Sequence, residues 1–176
     1  MTEFPKAAPR DRKAATAAVL FVDDYEAMRT FVKVLLERSG YRCTSAANSA
    51  EARQCLSEQM FDLAVLDVTM PGESGLVLAK SIRTTYPNTA VLMATAVDDL
   101  RVAEAALKAG AYGYLVKPYE ANQLLINVAC VLDRRRLERA GQQQRNELKR
   151  LARTRTLHVR DPLHPFCARP MFAGRD

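Results

Sequence analysis

Three aspartates, a threonine and a lysine each directly follow a short apolar run. Asp23 and Asp24 close "AVLFVDD", Asp67 closes "LAVLD", Thr95 closes "LMAT" and Lys117 closes "YLVK". Two adjacent carboxylates at the end of a buried segment repel one another, and each is costly to take out of water. A cation relieves both penalties. Should the third carboxylate join the pair, Mg2+ is the fitting ion, because it takes one or two direct carboxylates and completes its octahedron with waters and a phosphate. A lysine and a hydroxyl are the remaining parts for handling a phosphoryl group: the ammonium pairs with its oxygens as a point charge, and the hydroxyl donates a hydrogen bond. A carboxylate can act as the nucleophile and form an acyl phosphate while the ion screens its charge from the incoming anion. Asp67 is the candidate nucleophile.

Whether these groups meet depends on the elements that carry them. Apolar segments of strand length lie at 18–22, 41–46, 62–66, 89–94 and 112–116, the second weaker than the rest. Met28, Phe31, Val32, Leu35 and Leu36 make a helical apolar stripe that stops at Gly40. Asn48 with Glu51 reads as a capping box opening a helix from 49 to 59, and further helices are expected at 74–85, at 99–109 and from 120 onward. Strand and helix alternate five times. That order predicts an α/β fold, a doubly wound five-stranded parallel sheet covered on both faces, with five helices and the last one extended. Ligands of such sheets bind beyond the carboxyl ends of the strands, where the strand order reverses. All five polar residues are expected at that one edge.

Each residue taken alone has a plainer reading. Asp-Asp after a strand is commonly a helix cap, Asp67 before "TMPG" a turn opener, and Lys117 a solvated surface lysine. Thr95 would be an ordinary strand-end hydroxyl and Tyr114 a half-buried core aromatic. Their joint placement at one sheet edge argues against five coincidences. A phosphatase of the haloacid-dehalogenase kind needs a second carboxylate two residues past its nucleophile. Asp67 is followed by Val68 and Thr69, and Asp23 by Asp24 and Tyr25, so neither position qualifies. A dinucleotide-binding domain wants G-x-G-x-x-G after the first strand, where this chain has no glycine.

"FVDDY", "LAVLDVTMPGESGL", "MATA" and "YGYLVKPY" resemble the receiver domain of two-component response regulators across residues 17–133. The resemblance implies a flavodoxin-like sheet of order 2-1-3-4-5. It implies Asp67 as phosphoacceptor, and a Mg2+ site (Mn2+ substituting) made by Asp23, Asp24, Asp67 and the backbone carbonyl of Thr69. Thr95 and Lys117 would contact the phosphate, Tyr114 would be the aromatic switch coupled to Thr95, and the Lys117–Pro118 bond would be cis. Thr69 and Val97 would flank the path of the water that hydrolyses the acyl phosphate. Neither side chain orients a water well, so slow self-dephosphorylation is expected. The implied activity is phosphorelay signalling without a separate catalytic domain. The phosphoryl group would come from a histidine kinase or phosphotransfer protein, and phosphorylation would change the surface of the fourth helix, fifth strand and fifth helix for dimerisation or partner binding.

Composition bounds the rest. The chain has 176 residues, 48% of them apolar, enough for one core. No apolar run reaches membrane-spanning length, and the charged, proline-containing N-terminus is no secretory signal. Cys43, Cys55, Cys130 and Cys167 lie far apart, without the C-x-x-C spacing of a zinc site, which fits reduced thiols in the cytoplasm. Residues 16–132 carry a formal charge of −3, residues 133–176 carry +7 and residues 1–15 carry +2. The basic character therefore sits at the ends, and the core does not read as a nucleic-acid surface. The expected organisation is an N-terminal arm over 1–16, the receiver over 17–133, a basic helical extension over 134–155 and an irregular tail over 156–176. Leu137, Gly141, Gln144, Leu148 and Leu151 make a heptad seam with two weak positions, a candidate for dimerisation beside a plain solvated helix. No helix-turn-helix fits the extension. The alternatives are a DNA-binding regulator acting through the basic tail, and a receiver portion whose effector, a DNA-binding or cyclic-di-GMP domain, lies elsewhere.

Overall fold

Every residue of the runs Ala18–Val22 (β1), Leu63–Asp67 (β3) and Ala90–Thr95 (β4) is buried. That is the signature of strands covered on both faces, and it explains why these segments are apolar throughout. In the computed structural model, which describes residues 16–96 and 100–158, these strands form the middle of a five-stranded parallel sheet. Arg42–Ala46 (β2) and Gly113–Val116 (β5) pair at its edges, giving the order β2-β1-β3-β4-β5. Edge strands are covered on fewer sides, which is why β2 tolerates Arg42, Thr44 and Ser45 and has the weakest apolar pattern. The flavodoxin-like order expected from the resemblance is the order found.

Side chains alternate between the two faces with the period of a strand. Leu20, Val22, Ala64, Leu66, Val91 and Met93 fall in one core cluster with Ala52 and Leu56 of α2 (Ser49–Glu58), Leu78 and Ile82 of α3 (Gly75–Thr85) and Ala106 of α4 (Leu100–Lys108). Val19, Phe21, Leu63, Val65, Leu92 and Ala94 fall in the other, with Val32 and Leu36 of α1 (Glu26–Arg38) and Leu124, Val128 and Val131 of α5 (Ala121–His158). Each fully buried large side chain contributes about 1.5–3 kcal/mol of transfer free energy.

Phe31, part of the α1 stripe by its spacing, is 50% exposed. The buried arc centres on Val32 and Leu36, and Phe31 lies about 100° around the helix from Val32. Gly40, with φ of +86°, ends α1 in the left-handed conformation that a side chain would resist. Asn48 caps α2 by accepting the Glu51 amide, and the Glu51 carboxylate returns to the Ala47 amide. The box is therefore completed one residue outside the cap.

The chain divides into two units, Met1–Arg136 and Leu137–Asp176. In the second, the described residues continue α5 to His158, three residues past the extension end expected at 155, with Leu137, Leu148 and Leu151 exposed. The N-terminal arm up to residue 15, and the tail from residue 159, lie outside the described residues.

Candidate functional site

Parallel strands end level, so the last residues of β3 and β4 and the residues just past β1 and β5 arrive at one edge. Val22 pairs with Leu66, Asp67 with Ala94 and Thr95 with Val116. One step past Val22 and Val116 stand Asp23 and Lys117. Asp23 is 1% exposed, Asp67 6% and Thr95 0%, whereas Asp24 is open to solvent. One ligand oxygen from each of Asp23, Asp24 and Asp67 lies within 4.8 Å of the others, close enough together for one hard cation to take all three as ligands. The residues present fit such an ion.

The Lys117 ammonium supplies positive charge to this cluster. Its Nζ donates to Asp23 Oδ2 at 2.5 Å and to Asp67 Oδ2 at 2.6 Å. Each buried aspartate has its other oxygen tied to the backbone two residues on: Asp23 Oδ1 accepts the Tyr25 amide at 2.9 Å and Asp67 Oδ1 the Thr69 amide at 3.1 Å. Burial alone would pull the lysine's pKa down, but the hydrogen bonds and charges of Asp23 and Asp67 outweigh it and hold the ammonium above its ordinary value. The Asp-Asp pair is no helix cap. Tyr25 occupies the N-cap of α1, and no side chain caps that helix.

The loop after Asp67 is fastened from α3. Ser74 is the N-cap of α3, and its hydroxyl donates to the Val68 carbonyl at 3.1 Å, which also accepts the Gly75 amide at 3.2 Å. Gly75 has no Cβ because one would stand 1.9 Å from the Asp67 carbonyl oxygen. The first turn of α3 is thereby pressed against the backbone of the candidate nucleophile. The sequence places Ser74 and Gly75 only at the start of the helix expected over 74–85, with no sign of these contacts. Arg29 is a further site residue that the sequence does not reveal: its Nη1 donates to the carbonyls of Asp23 at 2.9 Å and Asp24 at 2.8 Å. A charged residue between apolar positions of α1 gives no sequence signal beyond a solvated face.

Thr95 is buried at the end of β4, and its carbonyl accepts the Lys117 amide at 2.7 Å. Tyr114 pairs with Met93, two residues before Thr95, so both side chains leave the sheet on the same face, and Tyr114 packs partly buried against the first core cluster. The Lys117–Pro118 peptide is cis. Thr69 lies in the loop beyond β3. Val97 lies outside the described residues.

Residues 19–129 match the model of the response regulator receiver domain. The chain is 40% identical over 121 residues to protein PetR of Rhodobacter capsulatus, a match covering 69% of this chain and 51% of PetR. It is 35% identical over 105 residues to the DNA-binding transcriptional regulator NtrC of Escherichia coli K12, covering 60% of this chain and 22% of NtrC. The chain thus spans about half the length of one of these relatives and about a fifth of the other. A CheY-like receiver domain structure from Methanospirillum hungatei superposes with a TM-score of 0.68 at 29% identity, covering 70% of this chain and 99% of that one. With its acidic strand-end cluster, its lysine after the fifth strand and its sheet order all in the matched region, this chain belongs to the response regulator receiver domain family.

Proposed function

We propose that the chain accepts a phosphoryl group on Asp67 from the phosphohistidine of a histidine kinase or phosphotransfer protein. Receiver domains bind Mg2+ through an acidic pocket and serve as phosphoacceptors rather than as separate catalytic enzymes. In this chain Asp23, Asp24, Asp67 and the Thr69 carbonyl would hold the ion. The ion supplies positive charge against the carboxylates and the incoming phosphate.

The observation that carries this reading is the single lysine bridging two buried carboxylates, with a third carboxylate beside them. In the transfer, an Asp67 Oδ–P bond forms as the donor P–N bond breaks. The donor ring, protonated at its other nitrogen, leaves as neutral imidazole. The carboxylate charge that Lys117 now pairs is cancelled against the positive charge lost from the donor ring, and the phosphoryl oxygens bring their own negative charge to the site, so the ammonium pairs with one of them and the Thr95 hydroxyl is the donor for a second. Recruitment of Thr95 changes the space that Tyr114 fills on the same sheet face. Through it the surface of α4, β5 and α5 would change for dimerisation or partner binding. A cytoplasmic location goes with this reading; no helix among the described residues is long and apolar enough to cross a membrane.

The test is incubation of the full chain with Mg2+ and acetyl phosphate, followed by mapping of the modified residue. Labelling at Asp67, lost in Asp67→Asn, supports the reading, and a persisting label on another residue overturns it. The short span of the relatives covered favours a second reading, in which this receiver is one segment of a longer transcriptional regulator. Duplex-DNA binding by the phosphorylated chain itself would instead favour output through the basic tail.

A further inference from the structure

Two of the three carboxylates in the acidic cluster belong to consecutive residues, and a single side chain reaches the backbone of both. Arg29 Nη1 donates to the Asp23 carbonyl at 2.9 Å and to the Asp24 carbonyl at 2.8 Å. These carbonyls lie ahead of the first residue of α1, Glu26, and that helix has no side-chain cap to organise its entry. Arg29 is rooted in the first turns of α1, a helix held to the sheet by the buried Val32 and Leu36. The guanidinium therefore references the turn carrying both aspartates to a fixed element. The Asp23 carboxylate is independently tied by Lys117 and by the Tyr25 amide. Asp24 is exposed, and its position depends chiefly on its backbone.

We infer that Arg29 is a positioning residue of the cation site, resting on the proposal that Asp23, Asp24 and Asp67 hold Mg2+. It acts through the two carbonyls and touches neither ion nor phosphoryl group. Two physical effects of the residue oppose each other. As a charge beside the cluster, Arg29 repels a divalent cation, so its removal should tighten Mg2+ binding. As a holder of the acidic turn, it pre-forms the ligand geometry, so its removal should loosen binding. Changes to groups that orient metal ligands cost about 10–100-fold in affinity, more than a partly solvated charge nearby returns. The positioning effect wins.

The experiment is Mg2+ titration of the full chain by calorimetry, without any phosphodonor, at a temperature where all variants are folded by circular dichroism. Arg29→Gln should bind Mg2+ about tenfold more weakly, and Arg29→Lys, which keeps the charge but loses the guanidinium geometry, should fall between it and the native protein. With acetyl phosphate, the variants' labelling rate should recover at high Mg2+, because the defect lies in holding the ion. Mg2+ affinity unchanged or tighter in folded Arg29→Gln overturns the inference, as does a full tenfold loss in Arg29→Lys accompanied by native affinity in Arg29→Gln. Should Arg29→Gln fail to fold, native affinity in Arg29→Lys overturns it alone. Native protein that binds Mg2+ in an Arg29-dependent way yet takes no label at Asp67 would sink the phosphoacceptor reading and leave this one standing.

Discussion

Replacing Lys117 with methionine keeps the length of the side chain and deletes the charge that two buried carboxylates share. At an effective dielectric near 20, unit charges about 2.6 Å apart attract by about 6 kcal/mol each, before the cost of drying the ions is set against it. Asp23 and Asp67 then face each other without compensation while 1% and 6% exposed. Removing one partner of a buried ionic group costs about 3–5 kcal/mol, since an unpaired buried charge is left behind. In metal-free buffer near neutral pH, Lys117→Met should lose about that much, a large share of the roughly 5–15 kcal/mol that a domain possesses. Mg2+ should return part of the loss, and so should Asp67→Asn placed in the same chain. Urea denaturation with and without chelator measures all of this. Native metal-free stability in Lys117→Met would refute the premise that this lysine neutralises the cluster.

Asp24→Ala should weaken Mg2+ binding and raise metal-free stability by no more than about 0.5 kcal/mol, because Asp24 is exposed and its repulsion is screened; a clear loss of metal-free stability would mean that the residue holds the turn. Gly75→Ala should cost about 1–3 kcal/mol and slow labelling of Asp67, since the added methyl meets the Asp67 carbonyl at 1.9 Å and either α3 or the nucleophile must move; native stability and rate would refute this. Burial, with help from Glu37, pushes the Cys43 thiol from 9.0 up to about 11. Stability from this group is present below pH 9 and declines as pH rises toward 11, by about 3 kcal/mol. Cys43→Ala should flatten that interval in a denaturation series, and an unchanged slope would refute the assignment. The phosphorylated chain should lose its label over minutes or longer, and faster in Thr69→Asn with Val97→Glu, because positioning a reacting water changes rates by about a hundredfold; complete loss within seconds in the native protein, followed by radiolabel chase, would refute it.

The apolar runs and helical stripes sufficed to place every strand and helix of the first unit, most firmly β1, β3 and β4, because strands buried on both faces are apolar throughout, and least firmly the edge strand β2. They sufficed also to bring Asp23, Asp67, Thr95 and Lys117 to one edge, since a parallel sheet aligns the ends of its strands whatever the loops do. What the pattern could not decide is which neighbours those residues have. Phe31 obeys the α1 spacing yet stays half exposed, because the width of a buried arc is set by what packs on the helix. Arg29 gives no sequence signal for its role, because its partners are backbone carbonyls, which every sequence has. Gly75 looks like any glycine at a helix start until the fold presses α3 within van der Waals reach of the Asp67 carbonyl. Local periodicity records which side of an element is dry. The contacts that hold the acidic turn and the nucleophile in place join residues from different elements, and only the packed chain determines them.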